Sequence, residues 1–305
     1  MKKQKARQQK LTLVVVAAVI VLIGVIAALL AINQGNRATA YTPVERFSDI
    51  HGLAVDPASP DVLYVATHHG LIRGSKSSES WQWALVGNYR ADFMGFSMHP
   101  NGKIFYASGH KVPDAPVMGV ARSDDGGFSW KIIALRGKVD FHAMTLSRAN
   151  PNRLYAWYYG DGKFYTSADG GYTWDSFKAQ GLSAVLALAA DPADEQTVWA
   201  ATQTGLARST DGGRSFELIA FDGTTVIAVA MDPSDRETLY VATETGAYKS
   251  TDGGQSWQGL GLADTVGYFA VAPRDSAIVY AATHRAALYR SPDGGTSWQL
   301  LKRGE

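Results

Sequence analysis

One eight-residue phrase recurs through the chain at a nearly constant period. It reads Ser250-Thr251-Asp252-Gly253-Gly254-Gln255-Ser256-Trp257, with variants beginning at Ser123, Ser167, Ser209 and Ser291. The starts lie 44, 42, 41 and 41 residues apart, and a fixed period of that size marks an array of blades or solenoid units. The phrase describes a tight β-hairpin. Asp-Gly-Gly supplies positions that tolerate positive φ, and the carboxylate can accept amides of its own turn. The closing Trp or Phe is a large apolar anchor that pins the hairpin to the next layer.

Around each phrase the same strands repeat. A unit opens with an apolar strand such as LAVDP at Leu53, LAADP at Leu188 or VAMDP at Val229. A second strand follows, as in LYVAT at Leu63, VWAAT at Val198, LYVAT at Leu239 and VYAAT at Val279. A third leads into the phrase and a fourth leaves it. Four short strands per 41–44 residues predict a propeller blade. Opening strands near Asp49, Asp92, Asp140, Ala184, Thr225 and Thr265 give six blades. The expected fold is therefore an all-β six-bladed β-propeller of four-stranded blades over residues 49–305. The first hairpin, Gly74 to Trp81, keeps the Trp and loses the Asp and both central glycines, as terminal repeats do. No strand exchange at closure is evident, although Val44 to Phe47 could supply one.

The amino terminus has a different composition. Residues 1–10 carry Lys2, Lys3, Lys5, Arg7 and Lys10, and an uncharged run extends from Leu11 to Ile32. At about 1.5 Å per residue such a run covers a hydrocarbon core of about 30 Å. Basic residues cluster before it, which keeps the N-terminus cytoplasmic. The expectation is a cytoplasmic tail (1–10), a single transmembrane helix (11–32), a polar tether (33–48) and an extracytoplasmic propeller at the cell membrane. The alternative is a cleaved signal peptide, since Ala38-Thr39-Ala40 is an A-x-A sequence, giving a protein secreted after Ala40. The run exceeds an ordinary signal-peptide core of about 7–15 residues, which favours the anchor. The formal net charge of +1 gives no electrostatic reason to expect nucleic acid. The absence of cysteine excludes disulfides, thiolate metal sites and a lipoprotein anchor.

Aligning the blades on one another yields the candidate site. At the start of the inner strand, blades 1 to 3 read Asp49-Ile50-His51, Asp92-Phe93-Met94 and Asp140-Phe141-His142. Blades 4 to 6 put Ala184-Val185-Leu186, Thr225-Val226-Ile227 and Thr265-Val266-Gly267 there. Second strands end on the same face, at His68, His110, Tyr159, Gln203, Glu244 and His284, with His69 beside the first. Six of the seven histidines (51, 68, 69, 110, 142 and 284) thus fall on one rim, and His99 on the other. Neutral imidazoles beside carboxylates or a thioether are what copper or zinc coordinates. His51, His68, His110, His142 and Met94 are the candidate metal ligands. Asp49, Asp92 and Asp140 would orient the rings or ligate directly. The competing reading is a hydrated rim around a water-filled channel.

The repeated phrase resembles the Asp-box, or BNR, repeat of bacterial sialidases, the sortilin ectodomain and photosystem II assembly factors. In those families the box joins the two outer strands of a blade, on the rim away from the ligand, so the resemblance implies a fold and a structural box. The runs HGLAVDP, THHGL, DFMGFSMHP, ASGH and DFHAMT, within residues 49–150, are similar to a bacterial Asp-box family labelled glycosyl hydrolase. That label derives from the repeat and leaves the chemistry open, while implying that the rim residues form a family motif. A glycoside hydrolase needs two carboxyl groups across the scissile bond, which Asp92 and Asp140 would supply as catalytic residues. Tyr159 and its aromatic neighbours would stack on a sugar. The sialidase pattern itself departs: there is no Arg-Ile-Pro motif, no evident arginine triad and no Tyr-Glu pair. A third reading is an interaction or assembly module. The expected partners are the membrane and a small ligand, glycan or extracytoplasmic protein. Binding is favoured over catalysis. If the run from Leu11 is an anchor, the full chain sediments with membranes and keeps Met1; a soluble product beginning after Ala40 would show cleavage instead.

Overall fold

The structure, a computed structural model, describes residues 19, 21–25, 41–46, 49–78, 80–110 and 117–303. Two compact units divide the chain, Met1–Thr42 and Pro43–Glu305. In the first, Val19 and residues 21–25 are helical and exposed. No helix among the described residues is long and apolar enough to cross a membrane; most of the run expected to do so lies outside them, as does the basic tail. The second unit begins earlier than residue 49. Val44 N donates to Trp83 O at 2.9 Å, and its side chain packs on the core between blades 1 and 6. Part of the expected tether therefore lies along the outer strand of blade 1.

Six sheets make up the second unit, each containing four consecutive antiparallel strands in chain order, with the strand Tyr41–Pro43 added at the outer edge of the first. The inner strands are Ile50–Val55, Asp92–Met98, Ala143–Leu146, Val185–Ala190, Val226–Asp232 and Val266–Ala272. Each packs against its neighbour around a central axis, and blade 6 returns to blade 1. The second strand of every blade carries an aromatic at one position: Tyr64, Tyr106, Tyr155, Trp199, Tyr240 and Tyr280, all buried. Several reach the following blade. Tyr64 meets Phe105 edge-on at 4.9 Å, Tyr155 Oη donates to Glu195 O, and Tyr240 Oη donates to Gly294 O at 3.1 Å. Tyr280 closes the ring by donating to Pro60 O at 2.6 Å and meeting Trp81 edge-on. Lys302 Nζ donates to Glu45 O, so closure uses side chains and the entering segment.

The five boxes join the third and fourth strands, as the resemblance implied. In the box of blade 5, Ser250 Oγ donates to Asp252 Oδ1 at 2.7 Å and accepts Gly254 N at 2.9 Å. Asp252 Oδ1 also accepts Ser256 N, and Oδ2 accepts Ser256 Oγ. These bonds, the one from Ser256 Oγ foremost, hold the Asp252 carboxylate down at about 2. Both glycines of each box have φ between 68° and 97°. The second glycine also abuts the preceding blade. A Cβ at Gly127 would meet Leu71 Cδ2 at 2.5 Å, and one at Gly213 would meet Phe164 Cε1 at 2.1 Å. Gly213→Ala thus combines a left-handed backbone with a ring clash and should cost about 2 kcal/mol or more. Gly259→Ala, where a Cβ meets nothing within 4 Å, should change little; thermal denaturation of the two variants compares them.

Candidate metal centre at the axial mouth

The inner strands do not run as regular ladders at their starts. The pairing register shifts between Ile50 and Gly52, Phe93 and Gly95, Val185 and Ala187, Val226 and Ala228, and Val266 and Tyr268. The skipped residues are His51, Met94, Leu186, Ile227 and Gly267, the aligned third position of each unit. A β-bulge re-aims its side chain and releases it from the alternation of the strand. That explains how a polar residue replaces an apolar one there without entering the core. Blade 3 reaches the same end by another route. Its inner strand starts only at Ala143, and Phe141 N donates instead to Ser108 Oγ of blade 2 at 2.8 Å. This cross-blade tie carries Asp140 and His142 towards blade 2.

Two clusters result. In the first, the His51 and His68 rings stack at 4.4 Å. His68 Nδ1 lies 3.4 Å from Asp49 Oδ2, and its Nε2 lies 3.6 Å from Asp92 Oδ1. The turn holding His68 is braced by Thr67, whose hydroxyl donates to Gly70 O and accepts His69 N. Asp49 sits at φ 51°, a left-handed conformation Asp tolerates better than most residues. In the second, Asp140 Oδ2 contacts both His110 Nε2 at 2.8 Å and His142 Nε2 at 3.0 Å. Asp92 pairs with His110 in the ladder of blade 2 and feels the charges of both clusters.

His51, His68 and Asp92 each offer a donor atom within 4.8 Å of the others, and so do His110, Asp140 and His142. Both groups are two imidazoles and one carboxylate, spanning blades 1 to 3. Three donors are left over. His51 Nε2, Asp92 Oδ1 and Asp140 Oδ1 are buried without a hydrogen-bond partner. The electrostatics follow from that burial. Desolvation, then the neighbouring His68, pushes His51 down to about 4. Burial raises Asp92 above the ordinary carboxylate value, against the pull of His68 and His110. The bond to Asp140 raises His142, with burial opposing it.

The remaining candidates are not members of these two groups. Met94 follows Asp92 on its strand, half-buried. His284 is exposed, edge-on to Tyr268 at 5.9 Å, and its ring fills the space a Cβ on Gly267 would need. His69 is exposed beside His68, and Tyr159 is 73% exposed. Ser108 was not among the sequence candidates. Its signal was a serine where Ala66, Ala201, Ala242 and Ala282 occupy the equivalent second-strand position.

No family model matches the chain, and no curated protein matches it. Solved structures do. A GH74 enzyme from Niastella koreensis aligns over 86% of this chain with a TM-score of 0.63 and 18% identity. The GH74 xyloglucanase from Xanthomonas campestris aligns over 87% with a TM-score of 0.57 and 16% identity. The chain spans 46% and 56% of those two proteins, about half their length. YCF48 bound to D1 peptide aligns over 86% of this chain and 85% of its own, with a TM-score of 0.52 and 18% identity. At such identities the likeness defines the class alone: a six-bladed β-propeller of four-stranded blades.

The shift at His51 has a consequence for folding. The unfolded chain protonates His51 near 6.5, the folded chain only near 4. Stability from this group is therefore fully present above about 6.5 and is lost as pH falls towards 4, because only the unfolded state gains the proton. His51→Gln removes that loss. Lowering the pH from about 7 to about 4.5 should shift the melting temperature of the variant, relative to the parent, in the variant's favour.

Proposed function

We propose that this protein is a ligand-binding propeller whose axial mouth coordinates divalent transition-metal ions, zinc or copper. One ion would be held by His51, His68 and Asp92, another by His110, Asp140 and His142. The single observation that carries the reading is the set of three buried donors, His51 Nε2, Asp92 Oδ1 and Asp140 Oδ1, left unpaired in one small region. Each such atom costs about 1–3 kcal/mol if nothing satisfies it, and the two ions together would satisfy all three. The donor chemistry agrees. Imidazole and carboxylate suit zinc and copper(II), and three protein ligands leave a position open for water or a ligand group. His51 resists protonation well below neutrality, so it is available as a neutral ligand under ordinary conditions. Bonds of about 2.1 Å to a tetrahedral ion place donors roughly 3.4 Å apart, within reach of the 2.8–3.6 Å separations between ring nitrogens and carboxylate oxygens.

Elemental analysis of the purified chain, stripped and then incubated with zinc or copper, tests this. The expected stoichiometry is two ions per chain, falling by one in His51→Ala and by one in His142→Ala, with the melting temperature of the stripped protein preserved. A stripped chain that takes up neither metal at micromolar concentrations removes the reading.

One observation favours a second reading. Burial holds Asp92 towards its protonated form, while Asp140 accepts two imidazoles; unequal carboxyls of this kind serve glycoside hydrolysis. The likeness to a GH74 xyloglucanase points the same way, and that to YCF48 bound to D1 peptide points towards a peptide partner. Under this reading aryl-glycosides are cleaved, and Asp92→Asn and Asp140→Asn each abolish turnover. On either reading the run from Leu11 to Ile32 supports a membrane-anchored propeller outside the cytoplasm.

A further inference from the structure

The inner strands have a second end, and one blade differs there. After the strand, blades 1 to 4 turn at an equivalent residue whose amide donates to the start of the second strand: Asp56 to Val62, His99 to Ile104, Ser147 to Arg153, Asp191 to Thr197; Asp232 and Ala272 hold that place in blades 5 and 6. The next residue is Pro57, Pro100, Pro192, Pro233 and Pro273 in five blades, and Arg148 in blade 3. A proline there needs no amide partner and stiffens the turn. An arginine brings a charge to a place where the repeat has none.

Arg148 lines the axial channel, a cavity of about 240 Å³ that also runs past His51 and His142. Among the described residues that line it, Arg148 is the single arginine or lysine. No described side chain forms an ion pair or hydrogen bond with it. Burial, with smaller pushes from Arg122 and Arg148, holds the His99 imidazole below its ordinary value, so the group that feels the Arg148 charge is no counter-ion. Asp232 also lines the channel, but its Oδ1 is taken by Ser234 N and Oγ, both at 2.8 Å. Burial alone holds Arg148 below its ordinary value. Since a guanidinium keeps its proton in proteins, Arg148 stands partly buried in the channel as a cation. Desolvated charges are ordinarily paired.

We propose that the end of the axial channel away from His51 and His142 is an oxyanion site, in which the Arg148 guanidinium holds a phosphate or sulfate group through paired N–H donors. The planar fork matches two oxygens of such a group, and the cavity exceeds the volume of several waters at about 30 Å³ each. The site is independent of the metal reading, because it uses the other end of the strands and none of the same side chains.

Thermal denaturation in inorganic phosphate, with a chelator present throughout and chloride at matched ionic strength as the control, tests the proposal. Phosphate should raise the melting temperature of the parent chain saturably, by roughly 2–6 °C, and His142→Ala should respond equally. Arg148→Met keeps the aliphatic stem while removing the charge. It should lose the phosphate response and melt higher than the parent in chloride alone. Equal phosphate responses in the parent and Arg148→Met, or no saturable response in the parent, would overturn the site. An inorganic sulfate series run alongside separates a general oxyanion site, which responds to both, from one selective for phosphate.

Discussion

The ring is held by contacts that cross from each blade to the next, and the closest of these are made where a side chain is missing. The second glycine of a box lets the hairpin lie directly on the hydrophobic face of the blade before it, as Gly213 lies on Phe164 and Gly127 on Leu71. The serine and aspartate of the box are spent on its own turn. Ser250 and Asp252 consume their hydrogen-bonding capacity within seven residues. The box is therefore a prefabricated corner stabilised largely from within, and the neighbouring blade supplies apolar surface and a donor such as Tyr240 Oη to Gly294 O. The second-strand aromatics repeat the principle on the opposite side of each blade. Their rings are buried within the stack, while hydroxyls such as that of Tyr280 reach the backbone of the next unit.

With closure settled at the periphery, the starts of the inner strands can depart from regular pairing. The bulges at His51 and Met94, and the detour of blade 3 through Ser108, occur where the sheet gives up ladder bonds to present a side chain at the axis. The price is visible in the three orphaned donors and in the left-handed backbone at Asp49. The bulge itself recurs in blades 4 to 6, and Ala184 repeats the left-handed φ of Asp49, whereas the three orphaned donors at the axis belong to blades 1 to 3.

Much of the architecture could be read from the chain. The period and the Asp-Gly-Gly signature gave six blades and their hairpins, because turn chemistry depends on residue type within a few positions. The convergence of His51, His68, His110 and His142 followed from laying the units in register. Their division into two groups did not. It depends on which backbone amides find partners in adjacent blades, as Phe141 does in Ser108, and no single-unit pattern encodes that. The bulges were hidden for a similar reason. Leu186 and Ile227 look like ordinary strand residues by composition, and only the ladder register identifies them as extra. Val44 to Phe47 was legible as a segment that could join the ring, but its attachment to Trp83 in blade 1 was not, because that backbone bond reaches a strand distant in sequence.

The recurrence of the bulge has an implication for how such a molecule changes over time. Each of five blades holds one residue outside the alternation, and those residues range from glycine to leucine to histidine. A position already exempt from packing can accept a new functional group by a single replacement without disturbing its neighbours. The chain thus carries a carousel of sockets, some fitted with chemistry and others blank, and Leu186 and Ile227 are the blanks from which a differently equipped descendant could be built.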